Sequence, residues 1–530
     1  MQGNRTKLTL LHSNDIHGDF MPSEKDNFFS GGISLLSGYV SKVRAEEENV
    51  IYAVAGDLFM GSVVDKEYRG LSTIKLFNAL QPDIFEVGNH EVDYGLSHLM
   101  FLEKCAAFPI LCANLYIKEL NRRLFMPYFD IERGGIRVRF IGVLTESVSE
   151  KISQEELIET EVGVRDVYKE IDKVFAATDW DRADITILLT HIGIEEDKKL
   201  AEFIKPEWGV DFIIGAHSHT FMEEPLVVNG ITIAQAGVGS SQIGRFDIVF
   251  DSDERRIESF EWKLMAPVEE KEGVVPGSAV RTGDIIPIVK EGRKGRGIAE
   301  LCKPDGLIDF YLGRMKGKTD SKYDQVLFTL DQEYEHGGFH RETQLIDLFS
   351  DIYNDAFGTD VFFLSTNIIR CKLLGKTVKR KDFELAYPYD NEVYIMKLRG
   401  DRLKQVFSHI YRKEAWFGTM IFFLFSGSMR VDYDKEEYEV RQVYHKGRPL
   451  EADREYRVGI TSYAYKNCGI FLGLELEGRD RDIKVKQISA GDREVLEKYF
   501  ESHEFLTLEN EGRLNIMMPG SKGNNAFMLA

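Results

Sequence analysis

The sequence has no apolar run long enough to cross a membrane as a helix. The run Met420–Phe425 is far shorter than the roughly 20 residues that a spanning helix needs, and we interpret it as a buried strand. The segment Met1–Lys7 leads directly into the first predicted strand and lacks the apolar part of a secretory signal. We therefore expect a soluble, cytoplasmic protein without a membrane partner.

Cysteine is scarce. The chain has five cysteines, which are widely spaced and form no CxxC pair. The odd number and the spacing argue against a disulfide framework and favour reduced thiols. They also exclude the thiolate cluster that holds a structural zinc ion.

Positive charge is in deficit. The chain has 67 basic and 87 acidic residues, which gives a formal net charge of -20. A broad negative field disfavours binding to nucleic acid or to an anionic membrane surface. A small anionic substrate remains compatible with this charge if a bound metal reverses its sign locally.

The length of 530 residues predicts two domains. Short apolar strands alternate with helical patterns over 5–267, which predicts a layered α/β domain. Residues 268–321 are interpreted as a linker with a Gly- and charge-rich insertion and a connecting helix. We expect a second, α+β domain over 322–518 and a disordered tail over 519–530. Helical patterns cover 32–48, 72–80, 94–107, 343–357 and 401–412.

Metal-binding residue types follow five apolar runs in the first half of the chain. The carboxyl ends of parallel strands share one edge of a sheet, so we expect these side chains to converge. The candidate ligands are Asp15, His17, Asp57, Asn89, His191, His217 and His219. Two Asp, one Asn and four His are too many for one tetrahedral ion and suit two metals.

The mixture of donors narrows the choice of metal. Carboxylate, amide and imidazole groups together suit Mn, Fe, Co or Zn and are too rich in nitrogen for Mg or Ca. Asp57 can bridge two cations, because each carboxylate oxygen can serve one of them.

His90 and Asp93 form a second candidate group beside these ligands. His90 is adjacent to Asn89 but is expected to point the other way, and Asp93 lies about one helical turn further on. The carboxylate can accept a hydrogen bond from the imidazole, fix its tautomer and favour its protonated form. Such a dyad suits protonation of a leaving oxygen or stabilisation of charge on phosphorus.

Three segments carry a family resemblance: Leu10–Gly18 (LLHSNDIHG), Gly88–Gly95 (GNHEVDYG) and Gly215–Thr220 (GAHSHT). In this order they resemble the 5′-nucleotidase family of the calcineurin-like metallophosphoesterases. The resemblance implies a four-layer αββα domain with a dinuclear metal site, a helical linker and a C-terminal substrate-specificity domain. It also implies that His90 and Asp93 are the catalytic dyad. The implied ligand sets are Asp15, His17, Asp57 and His219 for one metal, and Asp57, Asn89, His191 and His217 for the other.

The C-terminal half matches the family less well. By resemblance, Arg341, Arg370, Tyr389 and Tyr463 bind the substrate, with the two tyrosines stacking on a base. Ile368 and Ile369 stand where the family has glycines, and Gly469 stands where it has an aspartate that holds the ribose hydroxyls. We therefore expect a loosened or repurposed nucleoside pocket.

Together these features predict a metal-dependent phosphatase that acts on phosphate esters, most simply nucleoside 5′-monophosphates. The resemblance implies in-line attack of a metal-bound hydroxide. Nucleotide sugars, nucleoside di- or triphosphates and 2′,3′-cyclic nucleotides would use the same metals and remain open as substrates. A non-enzymatic phosphometabolite sensor is the alternative of another class. Protein partners are not predicted.

Overall fold

The structure is a computed structural model that describes residues 5–517 except 26, 149–161, 178–182, 272, 274–278, 291, 337–340, 372, 417–420 and 477. The predicted tail over 519–530 lies outside the described residues. The chain divides into two compact units, residues 1–319 and 320–530.

Two large β-sheets form the centre of the first unit. Val50–Ala55 is buried at every position, as is typical of a parallel strand that is covered on both faces. The ten-stranded sheet has the order Ile285–Lys290, Arg293–Leu301, Arg256–Glu270, Ile243–Asp251, Arg5–Asn14, Val50–Ala55, Ile84–Glu86 and Ile110–Leu111, with Phe28–Ser30 and Ser23–Glu24 beside Arg256–Glu270. The six-stranded sheet has the order Leu226–Val228, Ile231–Ala234, Phe212–Gly215, Ile185–His191, Ile136–Leu144 and Tyr128–Arg133. A small sheet consists of Val162–Val164, Leu115–Ile117 and Arg122–Arg123.

Helices cover the outer faces of both sheets. The sheets share one core, to which Leu10 and Phe140 belong. Leu36 joins a separate core on the ten-stranded sheet, and Ile171 one on the six-stranded sheet. The layers are therefore αββα, as the resemblance implies. The α-helices are Ile33–Glu46, Val63–Glu67, Leu71–Leu80, Leu96–Cys105, Val167–Ala176, Ile194–Phe203 and Gly306–Tyr323, with a 3₁₀ turn at Pro206–Trp208. None of the helices in the described part of the chain is long and apolar enough to span a membrane.

The segment after residue 267 differs from the sequence prediction. Instead of a linker with an insertion, Ile285–Lys290 and Arg293–Leu301 form a hairpin at the edge of the ten-stranded sheet, and Arg293–Leu301 pairs in parallel with Arg256–Glu270. The high content of Gly and charge concealed these strands, because an edge hairpin exposes every second residue. The connecting helix that the sequence predicts within 268–321 runs from Gly306 to Tyr323.

The second unit is an α+β domain with one continuous core. A five-stranded sheet has the order Phe423–Phe425, Val361–Ser365, Glu455–Thr461, Val393–Arg399 and Val485–Ser489. A four-stranded sheet has the order Arg448–Pro449, Glu439–His445, Met429–Asp434 and Leu514–Met517. Smaller sheets join Thr377–Lys379, Val326–Leu330 and Phe505–Leu506, and pair Tyr334–Glu335 with Leu373–Leu374. The helices are Gln344–Phe357, Arg380–Ala386, Gly400–Ile410, Lys413–Trp416, Ser462–Lys466, Cys468–Leu472 and Arg493–Ser502, with a 3₁₀ turn at Thr366–Ile368.

Candidate metal centre

All seven candidate ligands lie at or just beyond the carboxyl end of a strand. Asp15, His17, Asp57 and Asn89 follow strands of the ten-stranded sheet. His191 ends a strand of the six-stranded sheet, and His217 and His219 follow another strand of that sheet. The centre therefore forms where two facing sheets end, rather than along the edge of a single sheet. Parallel strands within each sheet bring neighbouring loops together at this end.

One group of ligand atoms consists of Asp15, His17 and His219. The Nε2 atoms of His17 and His219 lie 3.0 Å apart. Oδ1 of Asp15 lies 3.5 Å from Nε2 of His219 and 3.9 Å from Nε2 of His17. Three donors from two distant loops thus point into one small volume.

A second group consists of Asp57, His191 and His217. Nε2 of His191 lies 3.1 Å from Oδ2 of Asp57 and 3.1 Å from Oδ1 of Asn89, which brings the amide into the same group. Oδ2 of Asp57 is also 3.7 Å from Nε2 of His17. Asp57 therefore lies between the two groups, where a bridging carboxylate has to be.

The donor set fits two divalent cations. Each group combines carboxylate oxygen with imidazole nitrogen, and no thiolate takes part in either of these groups of described residues. Asp15 and His191 are fully buried and Asp57 is almost so. Several ionisable groups this close together and this deep favour a bound positive charge, because burial of unpaired carboxylates is costly.

The charges within the centre depend strongly on one another. Burial raises the pKa of Asp15. Burial acts in the same direction on Asp57, but the charges of His191 and His90 hold the pKa of Asp57 well below its usual range. Burial alone would lower the pKa of His191, yet the adjacent Asp57 raises that pKa to about 9. The protein thus stabilises an anionic Asp57 through neighbouring positive charge, which is the role that a bound cation would share.

The backbone of the ligand loops is unusual. Five of the candidate ligands have a positive φ, a conformation that is costly for residues other than glycine. They are Asp15 (52°), His17 (49°), Asp57 (55°), His217 (73°) and His219 (54°). Gly88 shows how tightly the loops pack, because a Cβ atom there would lie 2.3 Å from Oδ1 of Asp57. Strain of this kind persists where the surrounding structure fixes it, and it is typical of functional sites.

The predicted dyad lies against these groups. Nδ1 of His90 is hydrogen bonded to Oδ2 of Asp93. The ring centroids of His90 and His17 are 5.0 Å apart, and the backbone N–H of His90 donates to Oδ1 of Asp57 over 2.8 Å. A ligand atom of His90 also forms a group with those of His17 and Asp57. Asp93 thus orients an imidazole beside the carboxylate that lies between the two groups.

Comparisons with known proteins agree with this geometry. Residues 8–221 match the family model described as calcineurin-like phosphoesterase, and residues 325–473 match the 5′-nucleotidase C-terminal domain. The chain belongs to the 5′-nucleotidase family of calcineurin-like phosphoesterases. It is a metal-dependent phosphoric ester hydrolase.

Individual relatives extend the similarity over nearly the whole chain. A 5′-nucleotidase of Vibrio parahaemolyticus is 25% identical over 94% of this chain and 89% of its own length. A 5′-nucleotidase of Homo sapiens is 25% identical over 81% of this chain and 75% of its own. The crystal structure of a 5′-nucleotidase precursor from Thermus thermophilus covers 97% of this chain and 99% of its own, with 22% identity and a TM-score of 0.69, and shares its fold.

The 5′-nucleotidase C-terminal domain brings two of its four predicted substrate-binding residues together. Nε of Arg370 donates a hydrogen bond of 2.5 Å to the hydroxyl of Tyr389, and the guanidinium lies 5.5 Å from the centre of that ring. Tyr463 is 39% exposed and packs against Phe471, with ring centroids 5.4 Å apart. Arg341 is exposed and lines a cavity of about 590 Å³. Arg370 and Tyr389 are thus in contact, while the substrate-binding role of all four residues stays a prediction.

The two isoleucines that stand where the family has glycines are buried. Ile368 is 6% exposed and Ile369 is 2% exposed, and both belong to the core of the C-terminal domain. Their side chains thus pack inside the domain, and the expectation of a loosened or repurposed nucleoside pocket stays a prediction. Gly469 lies in the helix Cys468–Leu472, and a Cβ atom there would find only the carbonyl of Leu474, at 3.8 Å.

Sequence reasoning missed Glu91, which organises two ligand loops. Its buried carboxylate accepts hydrogen bonds from the backbone N–H groups of Asp57 (2.9 Å), Leu58 (2.8 Å) and Gly88 (2.6 Å). The loops that carry Asp57 and Asn89 are thus tied to one side chain. An acidic residue next to two metal-binding types was visible in the Gly88–Glu91 segment, but its contacts depend on a loop that is 33 positions away.

His336 was also missed, since a single histidine outside the ligand pattern gave no signal. Its Nε2 donates to the carbonyl of Thr366 over 2.7 Å, because a carbonyl can only accept. Its Nδ1 then accepts from the hydroxyl of Thr343 over 2.9 Å. His336 therefore connects the segments that carry Arg341 and Arg370.

Proposed function

We propose that the protein hydrolyses nucleoside 5′-monophosphates with two divalent cations drawn from Mn, Zn, Co and Fe. The observation that carries the proposal is the position of Asp57, whose Oδ2 lies within 3.7 Å of His17 and 3.1 Å of His191, with the His90–Asp93 pair alongside. The names of the relatives support nucleotides as the substrate class.

The ligand roles follow the two groups. Asp15, His17, Asp57 and His219 would hold one cation, and Asp57, Asn89, His191 and His217 the other. When bound, the two cations supply Lewis acidity and an activated water for in-line displacement at phosphorus. Glu91 keeps the Asp57 and Asn89 loops at the separation that this ligand set requires.

His90 is the residue that acts on the substrate. Asp93 accepts a hydrogen bond from Nδ1 of His90 and so favours the protonated ring. The imidazolium would stabilise negative charge on the phosphoryl oxygens and donate a proton to the leaving alkoxide. This role distinguishes an enzyme from a phosphometabolite sensor, which needs no acid of this kind.

The C-terminal domain would select the nucleotide. The guanidinium of Arg370 lies over the ring of Tyr389, and this pair would contact the nucleotide, with the ring stacking on the base. Arg341 and Tyr463 are exposed and available for contact with substrate. Aromatic stacking tolerates all bases, so we expect broad base preference.

The deciding experiment is a phosphate-release screen of the full chain with Mn, Co and Zn. The panel contains nucleoside 5′-monophosphates, nucleoside triphosphates, a nucleotide sugar and a 2′,3′-cyclic nucleotide. Highest kcat/KM on a 5′-monophosphate supports the proposal, and highest kcat/KM on another class contradicts it. His90→Ala, matched for metal content, reveals any contaminating phosphatase. Nucleotide binding without turnover by the wild type would instead identify a sensor.

We further propose a cytoplasmic location. All five cysteines are unpaired, and burial raises the pKa of Cys468 to about 12, which keeps that thiol protonated and unreactive. Unpaired thiols are typical of a reducing compartment. Cell fractionation followed by immunodetection of the native protein tests this location, and recovery outside the cytoplasmic fraction would contradict it.

A further inference from the structure

The edge hairpin, which consists of Ile285–Lys290 and Arg293–Leu301, contacts two of the metal-ligand loops. Its Gly- and charge-rich composition is typical of a linker and carries no functional signal in the sequence. In the structure its two strands pair along their full length, with Lys290 opposite Arg293 at the turn. These two cationic residues make the contacts.

Lys290 holds the first ligand loop. Its Nζ lies 2.6 Å from Oδ1 of Asp19, which is two residues beyond His17. The other oxygen of Asp19 accepts hydrogen bonds from the backbone N–H and the hydroxyl of Ser240, at 2.9 and 3.0 Å. The approach needs Gly239, since a Cβ atom there would lie 2.6 Å from Oδ2 of Asp19 and 3.3 Å from Cε of Lys290.

Arg293 holds the second ligand loop. Its Nη1 donates a hydrogen bond of 2.6 Å to the carbonyl of Ser218, the residue between His217 and His219. A charged donor on a backbone carbonyl fixes the peptide that joins the two histidines. Both histidines have a positive φ, and this contact helps the loop to keep that backbone conformation.

The same strand follows the chain beyond His219. Gly295 lies against Phe221, where a Cβ atom would be 2.7 Å from the ring. Two bonds from Arg296 to Glu223 continue the contact, but both residues are largely exposed, at 66% and 45%. Exposed pairs of this kind contribute little, and Glu223 lies beyond the ligand-bearing segment that ends at His219, so Arg296 is a suitable control within the same hairpin.

The two loops that the hairpin contacts supply one metal group entirely. Asp15, His17 and His219 form one group of ligand atoms, and all three lie on the loops that Lys290 and Arg293 contact. In the other group, formed by Asp57, His191 and His217, only His217 lies on such a loop. Loss of the hairpin contacts should therefore affect the two cations unequally.

We propose that Lys290 and Arg293 are positioning residues for the cation held by Asp15, His17 and His219. The edge hairpin is then the third structural part of the metal centre, besides the two sheets whose loops carry the ligands. This inference rests on the ligand assignment of the proposed function. Residues that orient ligands through such contacts alter metal affinity by about 10- to 100-fold when they are replaced.

The test measures Mn binding to the metal-depleted full chain by isothermal titration calorimetry, with free Mn followed by electron paramagnetic resonance. The variants are Lys290→Ala, Arg293→Ala, the double variant, Arg293→Lys and the control Arg296→Ala. We expect one of two Mn sites to weaken about tenfold in each single alanine variant and more in the double variant. The other site should stay within about twofold, and Arg293→Lys should recover part of the loss.

The outcomes separate this inference from the proposed function. Two Mn sites of wild-type affinity in the double variant would overturn the role of the hairpin while leaving the proposed function intact. Equal weakening of both sites, shared by Arg296→Ala, would also overturn it, because it would show general destabilisation. A wild-type chain that binds fewer than two Mn ions would contradict the proposed function itself. Circular dichroism of each metal-depleted variant checks that the fold is retained.

Discussion

Nε2 of His17 lies 3.0 Å from Nε2 of His219, although 202 positions separate the two residues in the sequence. Two imidazole nitrogens this close share one proton or direct their lone pairs at a cation. In the second arrangement a bound metal stabilises the folded protein, and removal of the metal should lower that stability.

Chelation should therefore abolish hydrolysis and lower the melting temperature of the first unit, because a ligand that binds only the folded state stabilises it. Mn or Co should restore both properties. Differential scanning calorimetry and phosphate release on the same samples measure the two effects.

Asp57→Ala should lose both cations, since Asp57 lies between the two groups. Two bound ions per chain in Asp57→Ala would rule out the bridging role.

His90→Ala should lower kcat by about 10²- to 10⁴-fold on an ester with a poor leaving group, because it removes the general acid. Metal content, measured by inductively coupled plasma mass spectrometry, should stay at the wild-type level. Asp93→Asn should have a smaller effect in the same direction, since Asp93 acts through His90. An activated aryl ester is the control, because its leaving group needs no proton. Wild-type kcat in His90→Ala on the poor leaving group would contradict the assignment.

Glu91→Gln should weaken metal binding without touching a ligand. Both carboxylate oxygens of Glu91 accept hydrogen bonds from backbone N–H groups. Glutamine replaces one of these oxygens with an NH₂ group, which would face at least one backbone N–H donor. Such a buried mismatch costs about 1–3 kcal/mol. We expect a lower melting temperature in the metal-free protein and weaker binding of the cation near Asn89. Unchanged values for both would show that the three hydrogen bonds do not position the loops.

Asp347 should make stability depend on pH in the second unit. Burial raises its pKa to about 8, Glu342 adds to the shift, and the guanidinium of Arg513, 3.6 Å away, opposes it. The folded state therefore keeps a proton that the unfolded chain releases above about pH 4. The stability that the folded protein gains from this proton is fully present below about pH 4. It is lost as the pH rises through 8, by up to about 1.4 kcal/mol per pH unit.

Asp347→Asn, which stays neutral, should remove this dependence. Thermal unfolding of the full chain at several values between about pH 5.5 and 8.5 compares the variant with the wild type, a range in which the unfolded aspartate is ionised. The melting temperature of the variant should gain on that of the wild type as the pH rises. A constant difference across this range would show that Asp347 does not titrate there.

Ribonucleotides and deoxyribonucleotides should be hydrolysed with less than tenfold difference in kcat/KM, or about 1.4 kcal/mol. Gly469 offers no acceptor for the ribose hydroxyls, and a missing hydroxyl then leaves no buried group unpaired. Gly469→Asp should raise the preference for ribose, because the position has room for a Cβ atom. Gly469→Asn is the matched control for size. A strong ribose preference of the wild type would mean that another residue supplies the acceptor.

The base contact needs its own measurement. Tyr389→Ala and Tyr463→Ala should each raise KM for nucleotides and leave the KM for a small aryl phosphate unchanged. Stacking on one base contributes about 1–3 kcal/mol, which sets the size of the effect. Tyr389→Phe removes only the hydroxyl that Arg370 contacts and separates this bond from stacking. An unchanged KM in both alanine variants would place the base elsewhere.

The sequence indicates which loops converge because their signal is local. A buried strand followed by Asp, Asn or His is visible within a few residues, and Asp15, Asp57 and His191 all follow this pattern. Glu91 and Arg293 escape such reasoning, because each acts on a backbone group that is distant in sequence. The burial of Ile368 also escapes such reasoning, since it depends on tertiary packing that no local pattern reveals.

The hairpin after residue 267 resembles a linker in sequence for a related reason. Composition suggests a linker after residue 267, yet strand pairing continues to Leu301. An edge hairpin has few buried positions, and Pro287 together with the charged residues Lys290, Arg293, Lys294 and Arg296 suits an exposed edge rather than a core. The hairpin pairs with Arg256–Glu270, which lies at the end of the predicted domain. The sequence of the hairpin alone does not reveal this pairing.

The positive φ values of five ligands have a consequence for protein engineering. A designer who placed the same seven side chains at the ends of ordinary parallel strands would not obtain this centre, because a left-handed backbone sets the direction of five of them. The transferable unit is the set of loops with the groups that hold them, including Glu91, Lys290 and Arg293. A search for similar centres in other folds should therefore compare main-chain geometry before it compares residue types.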